Sequence, residues 1–410
     1  MNILKKRICS VCKSDDFREV FDQPTRSIIG IGDIEYHHKI NLCNNCGFVF
    51  ASPVLSDELI LRFYEKMSNY EHPYSNGLRP IAEIKQIERY VNSITSKYVS
   101  KLKGRVLDIG CSTAYGLYLF KNKGWDVLGL DPSDKCIELS KKHYDISVIK
   151  GTFDLSLFEN EKPFNIIILC HVLEHLVYPD IVIEQLHKLI NEDGVVYIEV
   201  PNLMKPYAPK CYFGFEHVNF FTPTSLVNLI SVNGFEVVEL HEYDNGPEIS
   251  PFYPVIGLII KKNNDISPSA INNIKSDKDV VINVINEFAG NSKNLINGLK
   301  GVINKIIDIH NGRLALWGAG IHTSQILSET ALGGASVHCI FDNDAKKNGS
   351  ELMGIPIIKF PSNIDDLKKN IDAILISSEA SEDAIYNQIS YLEESGIKVY
   401  RLYNKAFGVL

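Results

Sequence analysis

The 410-residue chain contains no apolar run near the roughly 18 residues needed to cross a bilayer. It also lacks an excess of positive charge: 42 Lys and Arg stand against 50 Asp and Glu, a formal net charge of −8. Without a positive field to hold phosphates, a general nucleic-acid binder or a membrane-surface protein is excluded. The opening Met-Asn-Ile-Leu-Lys-Lys-Arg has no apolar stretch of the signal-peptide kind, so a cytoplasmic location is expected. Nine cysteines over this length are too few for a disulfide scaffold. No repeat of fixed period and no long low-complexity tract is present. What remains, 45% hydrophobic and 22% charged residues, is an ordinary globular composition with room for two or three domains.

Three regions separate by pattern. Residues 1–78 carry two cysteine pairs and then an amphipathic stretch at Asp57–Met67. Residues 79–263 alternate apolar strand-like runs with helix-like segments. The strands are expected at Arg105–Ile109, Asp126–Leu130, Ile146–Lys150, Asn165–Cys170 and Val195–Val200. The helices are expected at Tyr115–Lys123, Cys136–His143 and Ile181–Ile190. That alternation reads as βαβ units around a buried parallel sheet. Glu236–Tyr243 and Pro254–Lys262 fit an antiparallel edge. Residues 264–410 begin as a polar linker and a long helix, Val280–His310. A second βα series follows with strands at Leu314–Trp317, Ser336–Phe341, Ala373–Ile376 and Val399–Leu402, and Gly354-Ile-Pro356 reads as a turn. The expected fold class is α/β: a small metal-binding module, a doubly wound sheet, and a second Rossmann-like domain.

Cys9-Ser-Val-Cys12 and Cys43-Asn-Asn-Cys46 are two C-x2-C turns 30 residues apart. Each turn aims two thiolates at one point, and two such turns complete a tetrahedral zinc site. Because all four positions are protein ligands, the expected Zn²⁺ is structural rather than catalytic.

Val106-Leu-Asp108-Ile-Gly110-Cys-Ser112-Thr-Ala114-Tyr-Gly116 sits where a first strand turns into a first helix. Glycine there lets a ligand approach the backbone, and the helix N-terminus faces it. Asp131, at the end of the next strand, is placed to accept both hydroxyls of a ribose. Dinucleotide-binding and S-adenosylmethionine-binding proteins share these features, and the acid inside the strand, Asp108, favours the second. The segment resembles the first motif of class I methyltransferases, with Ser112 and Ala114 standing where that pattern has glycines. The resemblance continues in order: Gly151-Thr-Phe153-Asp154 after the third strand, His171-Val-Leu-Glu174-His175 after the fourth, and Pro201-Asn202 ending the fifth. It implies a cofactor set of Asp108, Gly110, Ser112, Asp131, Phe153 and His171 for S-adenosyl-L-methionine.

With the cysteine quartet ahead of this core and a second βα domain behind it, the chain resembles the nucleotide-sugar C-methyltransferases of deoxysugar biosynthesis. Tyr70-Glu-His-Pro-Tyr74-Ser75, His175, and Phe215-Glu216-His217-Val-Asn-Phe-Phe-Thr222 carry that resemblance. Methylating a carbon beside a ketone needs a base for the α-proton and donors for the enolate. The resemblance implies His217 as the base, Glu216 orienting it or gripping the sugar, and Tyr74 and His175 hydrogen-bonding the keto oxygen or enolate. It implies a nucleotide-linked sugar substrate and a monomer or homodimer. O- or N-methylation of a sugar or other small polar metabolite is the alternative. Gly318-Ala-Gly320 and Asp342 form a second nucleotide-type turn, to which the resemblance gives a substrate-side or scaffolding role.

Overall fold

The computed structural model describes residues 3–67, 81–98, 104–206, 213–244, 254–263, 274–361, 363–379 and 381–403. Two compact units emerge. One comprises the described residues within 1–20, 40–207 and 215–284, the other those within 21–39, 208–214 and 285–410.

The first unit is built on a seven-stranded mixed sheet. In chain order its strands are Arg105–Ile109, Asp126–Asp131, Val148–Lys150, Phe164–Cys170, Ile190–Pro201, Phe235–Tyr243 and Val255–Lys262, lying side by side as 3-2-1-4-5-7-6. The first five run parallel, while the seventh is antiparallel to both the fifth and the sixth. This is the sheet of the class I methyltransferase fold. Strand residues are apolar on both faces because both faces are covered. On one face Leu107, Ile109 and Leu169 pack with Ile183, Leu186 and Leu229. On the other Val106, Ile166 and Ile168 pack with Val91, Ile94, Leu117 and Phe120.

The covering helices are Ile81–Lys97, Tyr115–Asn122, Asp134–Tyr144, Pro179–Leu189 and Pro223–Val232. Their starts are chemically marked: Ser133 caps Asp134–Tyr144 by accepting from Cys136 N–H, and Thr222 with Ser225 forms a capping box ahead of Pro223. Val49–Ala51 pairs antiparallel with Ile40–Leu42 and with Asn219–Phe220, joining the cysteine-bearing segment to the loop that carries Glu216.

The second unit holds a six-stranded sheet in the order Glu351–Leu352, Ile355–Ile358, Val337–Phe341, Leu314–Trp317, Ala373–Ile376, Lys398–Arg401. Trp317, Phe341, Ile374 and Ile376 form its core. Ile355 and Pro356 belong to a strand rather than to the expected turn. Ile357 and Ile358 pair with Ile340 and Phe341, leaving only Met353-Gly354 to turn. Among the described residues no helix is long and apolar enough to cross a membrane.

Candidate active site

The first strand ends in a loop with three left-handed residues: Gly110 at φ +74°, Ser112 at +48° and Ala114 at +59°. Glycine is required at Gly110 on two counts, since an added Cβ would also lie 2.7 Å from Val172 Cγ2. This winding turns the Ser112 N–H toward Asp131, whose Oδ2 accepts it at 2.8 Å while Oδ1 accepts Ser133 N–H at 2.9 Å. Asp131 is 7% exposed. Burial raises its pKa above the usual carboxylate value, and the two backbone donors offset part of that rise.

The loop opens on a cavity of about 830 Å³ that lies wholly in the first unit. Asp108, Gly110, Ser112, Asp131, Phe153 and His171 all line it, so the structure brings the six expected cofactor residues to one space. His175 and Glu216 line it as well. His217 is not among the described lining residues; its ring packs edge-on against His175, with centroids 4.8 Å apart at 79°. Tyr74, with the rest of Tyr70–Ser75, lies outside the described residues.

Beside His171 is a buried charge network that sequence reasoning missed. Glu199, fully buried on the fifth strand, accepts from Arg89 and Tyr197 through Oε2 and from Gln86 through Oε1, each at 2.5 Å. His171 Nε2 is 3.7 Å from Glu199 Oε1, and its Nδ1 is 3.1 Å from Glu174 Oε1. Burial alone would lift the Glu199 carboxyl, but His171, Arg89 and Tyr197 hold it at about 2. Burial alone would likewise depress His171, yet Glu174 and Glu199 hold it at about 10. Two partly exposed cations thus balance two buried carboxylates, the condition under which buried charge persists. His171 adopts a left-handed φ of 57°, backbone strain of the kind found at functional sites.

A second missed residue is Tyr64, on the helix Asp57–Met67, whose hydroxyl lies 3.0 Å from His175 Nδ1. The same Nδ1 is 2.9 Å from the Glu216 carbonyl oxygen. A carbonyl only accepts, so the His175 proton sits on Nδ1. Burial lowers the pKa of His175 and pushes the Glu216 carboxyl up to about 7.

The four expected metal ligands also converge. The sulfurs of Cys9, Cys12, Cys43 and Cys46 all lie within 4.8 Å of one another, with Cys9–Cys46 at 3.5 Å and Cys12–Cys43 at 3.4 Å. These spacings far exceed the S–S bond of about 2.05 Å. They approach the edge of about 3.8 Å that Zn–S bonds of 2.3 Å give a tetrahedron. Each pair sits in a tight turn: Lys13 N–H donates to Cys9 O and Gly47 N–H to Cys43 O, both at 3.0 Å, with φ of 60° at Lys13 and 79° at Gly47. The donor set fits the metal.

Comparison with known proteins bears on this geometry. Residues 84–240 match the methyltransferase domain family, and residues 310–401 match the family described as C2185-like, N-terminal. The C-methyltransferase NovU of Streptomyces niveus is 22% identical over 376 residues, 85% of this chain and 84% of that protein. The ubiquinone biosynthesis O-methyltransferase of Glaesserella parasuis is 23% identical over 219 residues, 48% of this chain and 92% of its own. Among solved structures, the Burkholderia thailandensis 1,6-didemethyltoxoflavin-N1-methyltransferase aligns over 54% of this chain and 98% of that one, at 15% identity and a TM-score of 0.40. The sheet order, the Asp131 loop and the methyltransferase-domain match over residues 84–240 make this chain an S-adenosylmethionine-dependent methyltransferase.

Proposed function

We propose that the enzyme methylates a carbon next to the ketone of a nucleotide-linked deoxysugar, by way of an enolate. The observation that carries this reading is one cavity that holds the cofactor carboxylate Asp131 together with Glu216 and His175. The likeness to a C-methyltransferase along most of the chain supports carbon as the acceptor atom.

On this reading Asp131 takes the ribose hydroxyls and the Gly110–Ser112 backbone lies along the methionine moiety. When bound, S-adenosylmethionine supplies an electrophilic methyl group. Glu216 removes the α-proton; it is preferred to His217 because it lines the cavity, whereas His217 packs against His175. Tyr64 lies beside Glu216, and its hydroxyl suits the oxygen on which the enolate charge develops; His175, whose Nδ1–H is given to the Glu216 carbonyl, offers that oxygen no proton. Zinc, when held by Cys9, Cys12, Cys43 and Cys46, ties two turns of a segment whose Phe48 and Phe50 enter the sheet's core. Transfer to a hydroxyl or amine is the second reading, favoured by the matches to O-methyltransferases over about half the chain.

The test is mass spectrometry of products formed from a panel of nucleotide-4-keto-6-deoxysugars in deuterated water. Carbon methylation gives one added methyl group and loss or exchange of a carbon-bound proton. Glu216→Gln should abolish that exchange. A methyl ether or methylamine formed with no exchange at carbon would overturn the reading.

A further inference from the structure

Beside the charge network and next to the cavity lies a cluster with no role in the scheme so far. One ligand-type atom each from Glu174, His175 and His217 lies within 4.8 Å of the others. Glu174 is 1% exposed, and His171 occupies its Oε1. Its Oε2 is buried without a hydrogen-bond partner among the described residues. An orphaned carboxylate oxygen in low dielectric is costly, and such atoms in native proteins mark a missing proton, water or ion.

His175 sharpens the choice. Its Nδ1–H is committed to the Glu216 carbonyl, so Nε2 carries a lone pair, and that nitrogen lies 4.0 Å from Glu174 Oε1. A lone pair this close to a carboxylate group is an arrangement that a bound cation turns from unfavourable to favourable. A ring nitrogen fixed by a backbone carbonyl on its far side is the usual support of a metal-bound histidine. His217 brings a second imidazole to the same point.

We propose that Glu174, His175 and His217 bind a divalent transition-metal ion that holds the acceptor's carbonyl oxygen. Two imidazoles and one carboxylate suit Mn²⁺, Fe²⁺, Co²⁺ or Zn²⁺ rather than the all-oxygen preference of Mg²⁺ or Ca²⁺, and three protein ligands leave positions open. Because His175 lines the cavity, those positions adjoin the space assigned to the acceptor. The ion draws electron density from the ketone oxygen as the α-C–H bond breaks. The proton goes to Glu216, and the electron pair stays on the metal-held enolate until the carbon takes the methyl group as its S–C bond breaks. This role rests on the enolate reading above; the site itself does not. The thiolate quartet is a separate, soft site, and Mn²⁺ discriminates between the two.

The experiment is a Mn²⁺ titration of the full chain, prepared with zinc retained, followed by the electron paramagnetic resonance signal of free Mn²⁺. The expected result is one Mn²⁺ bound per chain, with affinity at least tenfold weaker in Glu174→Gln and in His217→Ala. A cooperative urea unfolding transition serves as the control that each variant is folded. Equal Mn²⁺ binding by wild type and a folded variant overturns the site. So does a wild-type chain that takes up neither Mn²⁺ nor Co²⁺ beyond its zinc, a result that needs no variant. If Mn²⁺ binds but a keto-sugar that is a proven acceptor leaves the water-proton relaxation of the bound ion unchanged, the oxygen-holding role is overturned. If Mn²⁺ binds and only O-methylation is found, the enolate reading falls and the site stands.

Discussion

Two strand-to-helix turns in this chain have nearly the same hydrogen bonds and differ in their charges. In the first, Asp131 accepts Ser112 N–H from the glycine loop and Ser133 N–H two residues on. In the second, Asp342 accepts Ala319 N–H at 2.7 Å, one residue after the loop glycine rather than two, and Asp344 N–H at 2.8 Å, again two residues on. There Lys347 also approaches, its Nζ 3.1 Å from Asp342 Oδ2, with side chains only 10% and 13% exposed. Among the described residues no cation pairs with Asp131, which lines the 830 Å³ cavity. The backbones differ too: the first loop is left-handed at Gly110, Ser112 and Ala114. In the second only Gly318 is, at φ +105°, and Gly320 is near-extended at −108°. Topology makes the turn, and on the proposed reading the acid left without a buried cation is the one open to a ribose. An acid paired with a buried lysine has little left for ribose hydroxyls.

The largest effect that could break this contrast is on cofactor affinity. Asp131→Ala should weaken S-adenosylhomocysteine binding by at least about a hundredfold, since two hydrogen bonds to a charged group are worth roughly 1.5–3 kcal/mol each. Asp342→Ala should leave that affinity within about twofold. Calorimetric titration of both variants decides, and a comparable loss in each would show that the two turns are not functionally distinct.

The next effect is on stability. Lys347→Met leaves Asp342 buried without its cation, which costs about 3 kcal/mol by the precedent of broken buried pairs. The two tryptophans report the units separately, Trp125 in the first and Trp317 in the core of the second. In a Trp125→Phe background, urea unfolding followed by Trp317 fluorescence should move to lower denaturant with Lys347→Met. S-adenosylhomocysteine should not restore it.

Acidity gives a smaller, sharper test. Burial raises the Asp131 pKa, and only the carboxylate accepts two ribose hydroxyls. Cofactor affinity is therefore complete above the raised pKa and is lost as pH falls through it, by at most about tenfold per pH unit. Asp131→Asn should bind weakly and show a shallower fall on the acid side, with the Glu216 carboxyl, at about 7 in the same cavity, left to titrate there. An equally steep fall in that variant would place the titrating group elsewhere.

Much of the sheet was legible because its strands are buried on both faces, a pattern that survives without neighbours: Arg105–Ile109, Leu314–Trp317 and Ala373–Ile376 fall where the apolar runs stand. The long strands Phe17–Ile28 and Gly32–Cys43 were not expected, because half-exposed residues such as Arg18, Glu19 and Asp33 blur their alternation. Pro356 suggested a turn, but strand pairing here asks nothing of its missing N–H. The six residues expected to hold the cofactor line one cavity because each lies in or just after the carboxyl end of a strand. The Glu199 network could not be read in advance, since Arg89 and Gln86 lie 110 and 113 residues away on a helix without a motif. Tyr64 meets His175 across 111 residues, a contact that only the fold supplies.

The smallest effects concern the loop backbones and separate strain from contact. A non-glycine residue in the left-handed region costs about 1–2 kcal/mol, so Ser112→Gly should stabilise the protein by about 1 kcal/mol. Ala114→Gly relieves the same strain, but Ala114 is fully buried, and losing its methyl group forfeits about 0.8 kcal/mol. The two terms nearly cancel, and its stability should barely move. In the second loop Gly320→Ala should be neutral or slightly stabilising, since φ is negative and an added Cβ meets nothing within 4 Å. Gly318→Ala should destabilise, because φ is +105° and the new Cβ would crowd Ser378 Cβ at 3.2 Å. Urea midpoints for these four variants should therefore rank Ser112→Gly highest and Gly318→Ala lowest. If Ser112→Gly proves destabilising, the Ser112 side chain contributes more to the cofactor loop than its backbone strain costs.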